Sequence, residues 1–337
     1  STELMGLGNE KLSWQTTIQY NAGMDVELFN GRLLAGVDCF YKKTRDLLST
    51  IDLKLVHGFN GYTENIGSTE NVGYEAMLGG YILRNSGVGL TWNVTGKLAY
   101  TRNKILTLSD ELKRETEKRR QTSEYGTLFY EGRSQNSIYA VRSLGINPAD
   151  GKELFLDAEG NVTETWDPAY RVYCGVGEPT YRGSLNSLIS YKNLSFNLSF
   201  GFHWGGKQYN STLLDKVEVP VGLEGSGVEQ SIINNVDNRV FTERWQKPGD
   251  YKFFKGYSDK ATRSSSRFVM DDQAFQLQSL SLQYGWRTGF VQKVLHAETV
   301  NVSVNMSDLF YLSSIKRERG TDYPFANNIQ FALSVIF

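Results

Sequence analysis

The sequence is poor in the residues on which several kinds of chemistry depend. Of its 337 residues, 2 are cysteine and 3 are histidine. Two cysteines cannot build a disulfide framework or a cysteine-based zinc site. His57, His203 and His296 fall on separate segments without metal-ligand spacing, so no metal is expected. No apolar run approaches the roughly 18 residues of a membrane-spanning helix, which excludes helical crossing. The formal net charge of -1 lacks the basic surplus of a general nucleic-acid binder. No glycine-rich phosphate loop and no nucleophile elbow is present. Asp25 and Glu27 come nearest to a carboxylate pair, but no acid–base partner accompanies them. Neither an enzymatic activity nor a cofactor is therefore expected. The opening residues Ser1-Thr2-Glu3-Leu4 show none of the three regions of an export signal.

What is present is aromatic and glycine-rich: 19 Tyr, 18 Phe and 33 Gly against 6 Pro. That content is too apolar for a disordered chain. Its arrangement has a period of two. Val300, Val302, Val304 and Met306 alternate with Asn301, Ser303, Asn305 and Ser307. Leu194, Phe196, Leu198, Phe200, Phe202 and Trp204 alternate with serine, asparagine, glycine and histidine. Residues 18–28 and 90–100 repeat the pattern, and 33–46, 71–84, 181–191 and 273–285 follow it with more noise. Alternate residues of a strand point to opposite faces, so each stretch predicts a strand with one apolar face. Between Leu277 and Leu280 the apolar parity slips by one, as a β-bulge would make it.

The pattern gives about nine strands, many of roughly 13–16 residues, longer than the 5–6 usual in soluble sheets. Short connections near Asn30-Gly31, Asn85-Ser86-Gly87, Lys192-Asn193 and 286–297 alternate with long ones near 47–70, 104–180, 206–271 and 311–324. Asn-Gly is a hairpin signal. Short and long in strict alternation are the periplasmic turns and extracellular loops of an outer-membrane barrel. A soluble sandwich or jelly roll would put Lys, Glu and Arg on its second face; here that face is mostly Ser, Asn, Thr, Gly and Gln. Trp14, Phe29, Tyr100, Tyr191, Trp204, Trp286 and Phe310 gather near strand ends, where interfacial girdles would put them. The expected fold is thus all-β, a transmembrane antiparallel barrel with long extracellular loops.

Several segments then resemble one family in order. They are Asn9–Gln15 (NEKLSWQ), Gln19–Asp25 (QYNAGMD), Phe29–Leu33 (FNGRL), Asp38–Leu48 (DCFYKKTRDLL), Asn65–Gly67, and Asn71–Glu75 (NVGYE). Further along come Ile146–Gly151 (INPADG), Asp157–Gly160 (DAEG), Arg244–Asp250 (RWQKPGD) and Phe275–Tyr284 (FQLQSLSLQY). Together they resemble SusC/RagA-type TonB-dependent transporters over nearly the whole chain. Cys39 departs from the usual tyrosine, and Gln276 and Gln278 stand where a cation is usual. The resemblance implies the C-terminal strands of a plugged barrel of about twenty-two strands, with residues 1–337 forming one barrel segment and the plug and N-terminal strands outside this chain. It implies import of oligosaccharides or peptides with a SusD-like lipoprotein, the remaining plug-bearing part and the TonB complex as partners. It also implies contact with outer-membrane lipid. Phe331, Leu333, Val335 and the final Phe337 look like the terminal strand that the barrel-assembly machinery reads. The rival is a self-contained porin, which needs about sixteen strands.

Within that frame the loop aromatics Trp166, Tyr170, Tyr173, Trp204, Tyr209, Phe253, Phe254 and Tyr257 are candidate substrate contacts, because flat rings stack on sugars and pack on peptide side chains. Asp25, Glu27, Asp38, Glu75 and Lys97 are expected to face the lumen or plug. Trp245, Pro248, Gly249 and Asp250 form a structural motif of the family. Ser109–Arg120 predicts a loop helix, capped by Ser109, acidic at its start and basic at its end; it could serve to dock the lipoprotein.

Overall fold

The computed structural model describes residue 9 and residues 12–52, 61–85, 87–122, 127–218, 238–256, 262–287, 289–294, 296–316 and 327–337. The chain forms β1 (Thr16–Leu28), β2 (Leu33–Arg45), β3 (Leu48–Asp52), β4 (Gly61–Asn65), β5 (Gly67–Leu83) and β6 (Leu90–Leu108). Helix α1 (Asp110–Thr122) follows, then the short strands β7 (Ser137–Val141), β8 (Ser143–Ile146), β9 (Glu153–Leu156), β10 (Val162–Thr163) and β11 (Arg171–Val176). Five more complete the chain: β12 (Tyr181–Tyr191), β13 (Leu194–Tyr209), β14 (Val269–Trp286), β15 (Thr299–Ser313) and β16 (Asn328–Ile336).

The long strands build one nine-stranded antiparallel sheet in the order β1-β2-β5-β6-β12-β13-β14-β15-β16. Neighbours in the wall are neighbours in sequence, so every connection is a hairpin or a loop returning to the adjacent strand. Among the described residues β1 and β16 do not pair with each other, so the wall is open at both edges. The eight stretches of period two and the terminal strand ending at Phe337 correspond to these nine strands. The short connections all lie at one end. At the Phe29-Asn30-Gly31 turn all three residues have positive φ, at 56°, 55° and 75°, which suits Asn and Gly. Lys192, with φ 50°, turns β12 into β13 within two residues.

Cross-strand register carries one face across the wall. Asn21 lies opposite Phe40, Gly23 opposite Asp38 and Asp25 opposite Gly36. Asp38 then faces Glu75, Met77 faces Lys97 and Ala99 faces Arg182. Beyond them come Ser199 against Ser279, Ser281 against Asn305 and Asn305 against Gln330. This is the polar face. The opposite face holds Met24, Val37, Leu98, Leu185, Phe200, Leu282, Val304 and Phe331. Leu78, Phe331 and Leu333 are more than half exposed. The parity slip in β14 is a bulge: register shifts between Leu277 and Ser279, leaving Gln278 as the extra residue against β13, while against β15 the extra residue lies on β15 between Ser307 and Phe310.

The apolar face is banded by rings. Tyr74, Tyr100, Tyr181 and Trp204 stand in one row across four strands, with successive centroids 5.8, 5.2 and 5.0 Å apart. Near the short-turn end, Tyr284 and Trp286 pack at 5.1 Å, and Tyr284 lies opposite Leu194. From Leu194 to Trp204 the strand rises ~34 Å at ~3.4 Å per residue. A tilt of about 40° projects this to ~26 Å, against an apolar band of about 25 Å in membrane barrels.

Candidate substrate-facing surface

Residues of the connections after β6 and after β13 fold together into one outer assembly. Leu213, Leu214, Val217, Val240, Phe254 and Phe268 form its apolar core, with Tyr209 and Met270 packed against it. At its centre Arg267 is almost wholly buried. Its Nε and Nη2 donate to Glu153 at 3.1 and 2.8 Å, and Nη1 and Nη2 to Glu218 at 3.2 and 2.8 Å. Nη1 also donates to the Phe253 carbonyl at 2.6 Å. Burial works against the guanidinium charge, but the two carboxylates outweigh it and hold the Arg267 pKa above its ordinary value. Arg244, also buried, donates to the carbonyls of Val217 and Glu218 at 2.6 and 2.7 Å. Burial lowers the pKa of Lys255 despite the nearby carboxylates of Glu218 and Glu153. A bidentate arginine satisfies two buried acids that no apolar group could.

Two motifs of the sequence clasp one another here. Trp245 Nε1 donates to the Pro148 carbonyl at 3.0 Å, and Gly249 N donates to the same oxygen at 2.8 Å. The indole lies against Gly151, whose φ is +75°, and a β-carbon there would collide with the ring. The Asp250 carboxylate accepts from the amides of Gln246 and Lys247 at 3.2 and 3.1 Å. Pro148 and Gly151 from one segment and Trp245, Gly249 and Asp250 from the other thus form one joint. Helix α1 takes the predicted cap, with Leu112 N donating to Ser109 Oγ at 3.2 Å. Arg171 Nη2 donates to the Arg119 carbonyl at 2.6 Å and Arg120 Nη2 to that of Ala169 at 3.0 Å, which tie the helix end to the start of β11 and the turn before it.

The candidate aromatics divide. Phe254 is 1% exposed and belongs to the loop core, so its ring offers no surface to substrate. Trp204 shares the parity of Phe202 and stacks on Tyr181 at 14° between planes, so it is a girdle residue on the apolar face rather than a lumen residue. Tyr209 packs into the loop core beside Phe268. Trp166 donates its Nε1 to the Ser264 carbonyl at 2.8 Å, with Arg263 over its ring. Phe253 meets Phe254 edge-on at 4.9 Å and keeps 38% of its surface exposed. Tyr170 is half-buried in a single 3-10 turn, Pro168–Tyr170. Tyr173 is 39% exposed, and the Arg133 guanidinium sits 4.2 Å from its ring centroid. Tyr257 lies outside the described residues.

On the polar face, Asp25, Gly36, Asp38, Glu75, Met77, Lys97, Ala99, Arg182 and Ser184 line a cleft of about 460 Å³. Asp25 and Asp38 lie reciprocally across glycines of the facing strand: a β-carbon on Gly36 would meet Asp25 Oδ1 at 2.6 Å, and one on Gly23 would collide with Asp38. The glycines make room for carboxylates laid flat on the wall. Glu27 lies on the same face nearer the short turns, its carboxylate over Gly31. Arg182 joins this cluster, although its noisy strand gave no sequence signal for it. A smaller cavity of about 120 Å³ at the outer end is lined by Asn103, Arg133, Tyr173, Glu178 and Thr180, among others. Among the described residues no cluster of His, Cys, Asp and Glu has the makings of a metal site.

Known proteins match this architecture. Residues 1–127 match the family described as TonB dependent receptor-like, beta-barrel. TonB-dependent receptor P3 of Formosa agariphila is 28% identical over 96% of this chain and 31% of its own length. TonB-dependent receptor SusC of Bacteroides thetaiotaomicron is 28% identical over 63% of this chain and 21% of its own. The solved RagAB peptide transporter superposes with a TM-score of 0.77 at 21% identity, covering 94% of this chain and 33% of that one. At that identity the likeness concerns the fold. The class is therefore an outer-membrane β-barrel that crosses the bilayer with strands, the apolar face toward lipid and the polar face toward the lumen. Within that class, the chain is similar to TonB-dependent receptors, SusC among them. It spans about a third or less of the length of the relatives it matches.

Proposed function

We propose that these residues form part of the barrel wall and the outer loop assembly of a TonB-dependent importer of nutrient oligomers, oligosaccharide or peptide, whose mouth a SusD-like lipoprotein covers. The observation that carries this reading is the open wall. An unpaired strand edge in hydrocarbon leaves backbone groups unsatisfied at a cost of several kcal/mol each, so the lack of β1–β16 pairing among the described residues supports a wall that further strands complete. The nine wall strands among the described residues fall short of the about sixteen of a porin and fit a segment of a larger barrel. In the whole transporter we assign the cleft of Asp25, Asp38, Glu75, Lys97 and Arg182 to contact with the plug, with Glu27 below it. Tyr170, Tyr173 and Phe253 keep exposed ring surface in the outer assembly, which suits them for contact with substrate.

The test is mass spectrometry of the detergent-extracted species that carries these residues. The reading expects plug and further barrel strands, on the same polypeptide or a bound one, together with a lipoprotein. A 38.1 kDa species alone, or its simple homotrimer, would overturn it in favour of the porin.

A further inference from the structure

The apolar face changes character just beyond its outer row of rings. Along β2, β5 and β6 the next outward row holds Tyr41, Val72 and Arg102, and the row after it holds Lys43, Glu70 and Lys104. Successive rows on one face lie ~6.8 Å apart along the strand. The two rows therefore begin immediately above the Tyr74–Tyr100–Tyr181–Trp204 belt, on the side of the long loops. They are on lipid-facing parity, where the wall below is apolar. Three cations stand there with one carboxylate. Glu70 is engaged by Lys104 at 3.9 Å and accepts from the Tyr41 hydroxyl at 3.4 Å. Arg102 is exposed and makes no ion pair among the described residues. Glu70, Val72, Tyr74, Tyr100, Arg102 and Lys104 enclose a cleft of about 210 Å³, floored by rings and walled by cations.

We propose that this ledge binds the phosphorylated headgroup of a lipid in the outer leaflet. The cleft sits at headgroup level, where aromatic belts mark the boundary between hydrocarbon and water. A phosphate offers three acceptor oxygens to the guanidinium of Arg102 and the ammonium of Lys104, forming charge-assisted hydrogen bonds. Tyr74 and Tyr100 present ring surface to the upper acyl chain or the sugar carrying the phosphate. The ledge has a net charge of +2, so a neutral headgroup would leave its cations unanswered, whereas one phosphate offsets them. The lumen-facing residues play no part in this contact, which separates it from import.

The test uses the intact transporter, exchanged into detergent with added bisphosphorylated lipid A or with the same lipid after enzymatic dephosphorylation. Retained lipid is read by native mass spectrometry. Each interfacial cation supplies about a fivefold gain in binding, so R102Q/K104Q should retain the phosphorylated lipid about thirtyfold less than the parent. The charge-conserving R102K/K104R should recover most of that loss, which excludes a mere folding defect. Dephosphorylated lipid should be retained weakly and equally by all three proteins. Equal retention of both lipids by the parent, or undiminished retention by R102Q/K104Q, would overturn the proposal. Substrate uptake is measured alongside and is expected to stay near the parent level.

Discussion

Replacing Arg267 by methionine should open the outer assembly while leaving the wall standing. Arg267 is the cation shared by Glu153 and Glu218, whose side chains are 6% and 0% exposed. Removing it leaves two carboxylates inside a dry loop core, and breaking a buried pair in this way costs about 3–5 kcal/mol. Methionine fills much of the volume, so the loss is electrostatic rather than a cavity effect. The wall strands keep their own hydrogen-bond ladder and face lipid, so heat-modifiable migration of the barrel should be unchanged. Protease cleavage within 206–271 should accelerate by a factor of about a hundred or more, since each 1.4 kcal/mol is tenfold when cleavage follows opening. The triple variant R267M/E153Q/E218Q removes both stranded charges, while the glutamine oxygens still accept from Ser265 Oγ and the Lys255 amide. Removing charge on both sides of a pair is far milder than removing it on one, so most of the protection should return. If R267M is as resistant as the parent, or the triple variant as open as R267M, the reasoning about this buried cluster is refuted.

Other consequences can be measured on the same preparation. Gly151→Ala places a β-carbon against the Trp245 indole at φ +75° and should cost about 1–3 kcal/mol of loop stability. Trp245→Ala should cost about 2–4 kcal/mol, below the figure for a fully buried ring; protease protection reads both. Burial raises the Cys174 thiol above its ordinary range, so its alkylation should lag a free thiol at neutral pH and quicken only in alkali. Labelling at pH 7.5 as fast as glutathione would contradict this. Tyr173→Ala should lower substrate uptake with loops still protected. Trp166→Ala should lower uptake only together with protection, because its indole anchors the Ser264 carbonyl. Uptake lost without loosening in the Trp166 variant would assign that ring to substrate instead.

The wall was legible because a lipid-facing strand repeats every two residues over most of its length. Even the Gln278 bulge showed itself as a parity slip. Helix α1 was legible from Ser109 and the order of its charges. The parity of Leu194–Trp204 also contained the correct position of Trp204, which a reading by loop proximity obscured. The outer assembly was not legible, because its contacts are long in sequence and local patterns do not reach them. Glu153 and Arg267 are 114 residues apart, and Glu218 and Arg267 are 49. Phe254 and Phe253 are adjacent and alike in composition, yet one is buried and the other half-exposed, since the turn between segments sets which ring enters the core. The Trp245–Pro148 joint was visible only as two separate motifs.

The most direct test of the wall itself is a cysteine scan along β15 in whole cells or proteoliposomes. We expect cysteines at 303, 305 and 307 to react with a small water-soluble maleimide reaching the lumen. Those at 302, 304 and 306 should react only with a lipid-soluble reagent. An alternation with this phase places Ser303, Asn305 and Ser307 toward water and Val302, Val304 and Met306 toward lipid. Uniform labelling, or the opposite phase, would contradict the transmembrane wall described above.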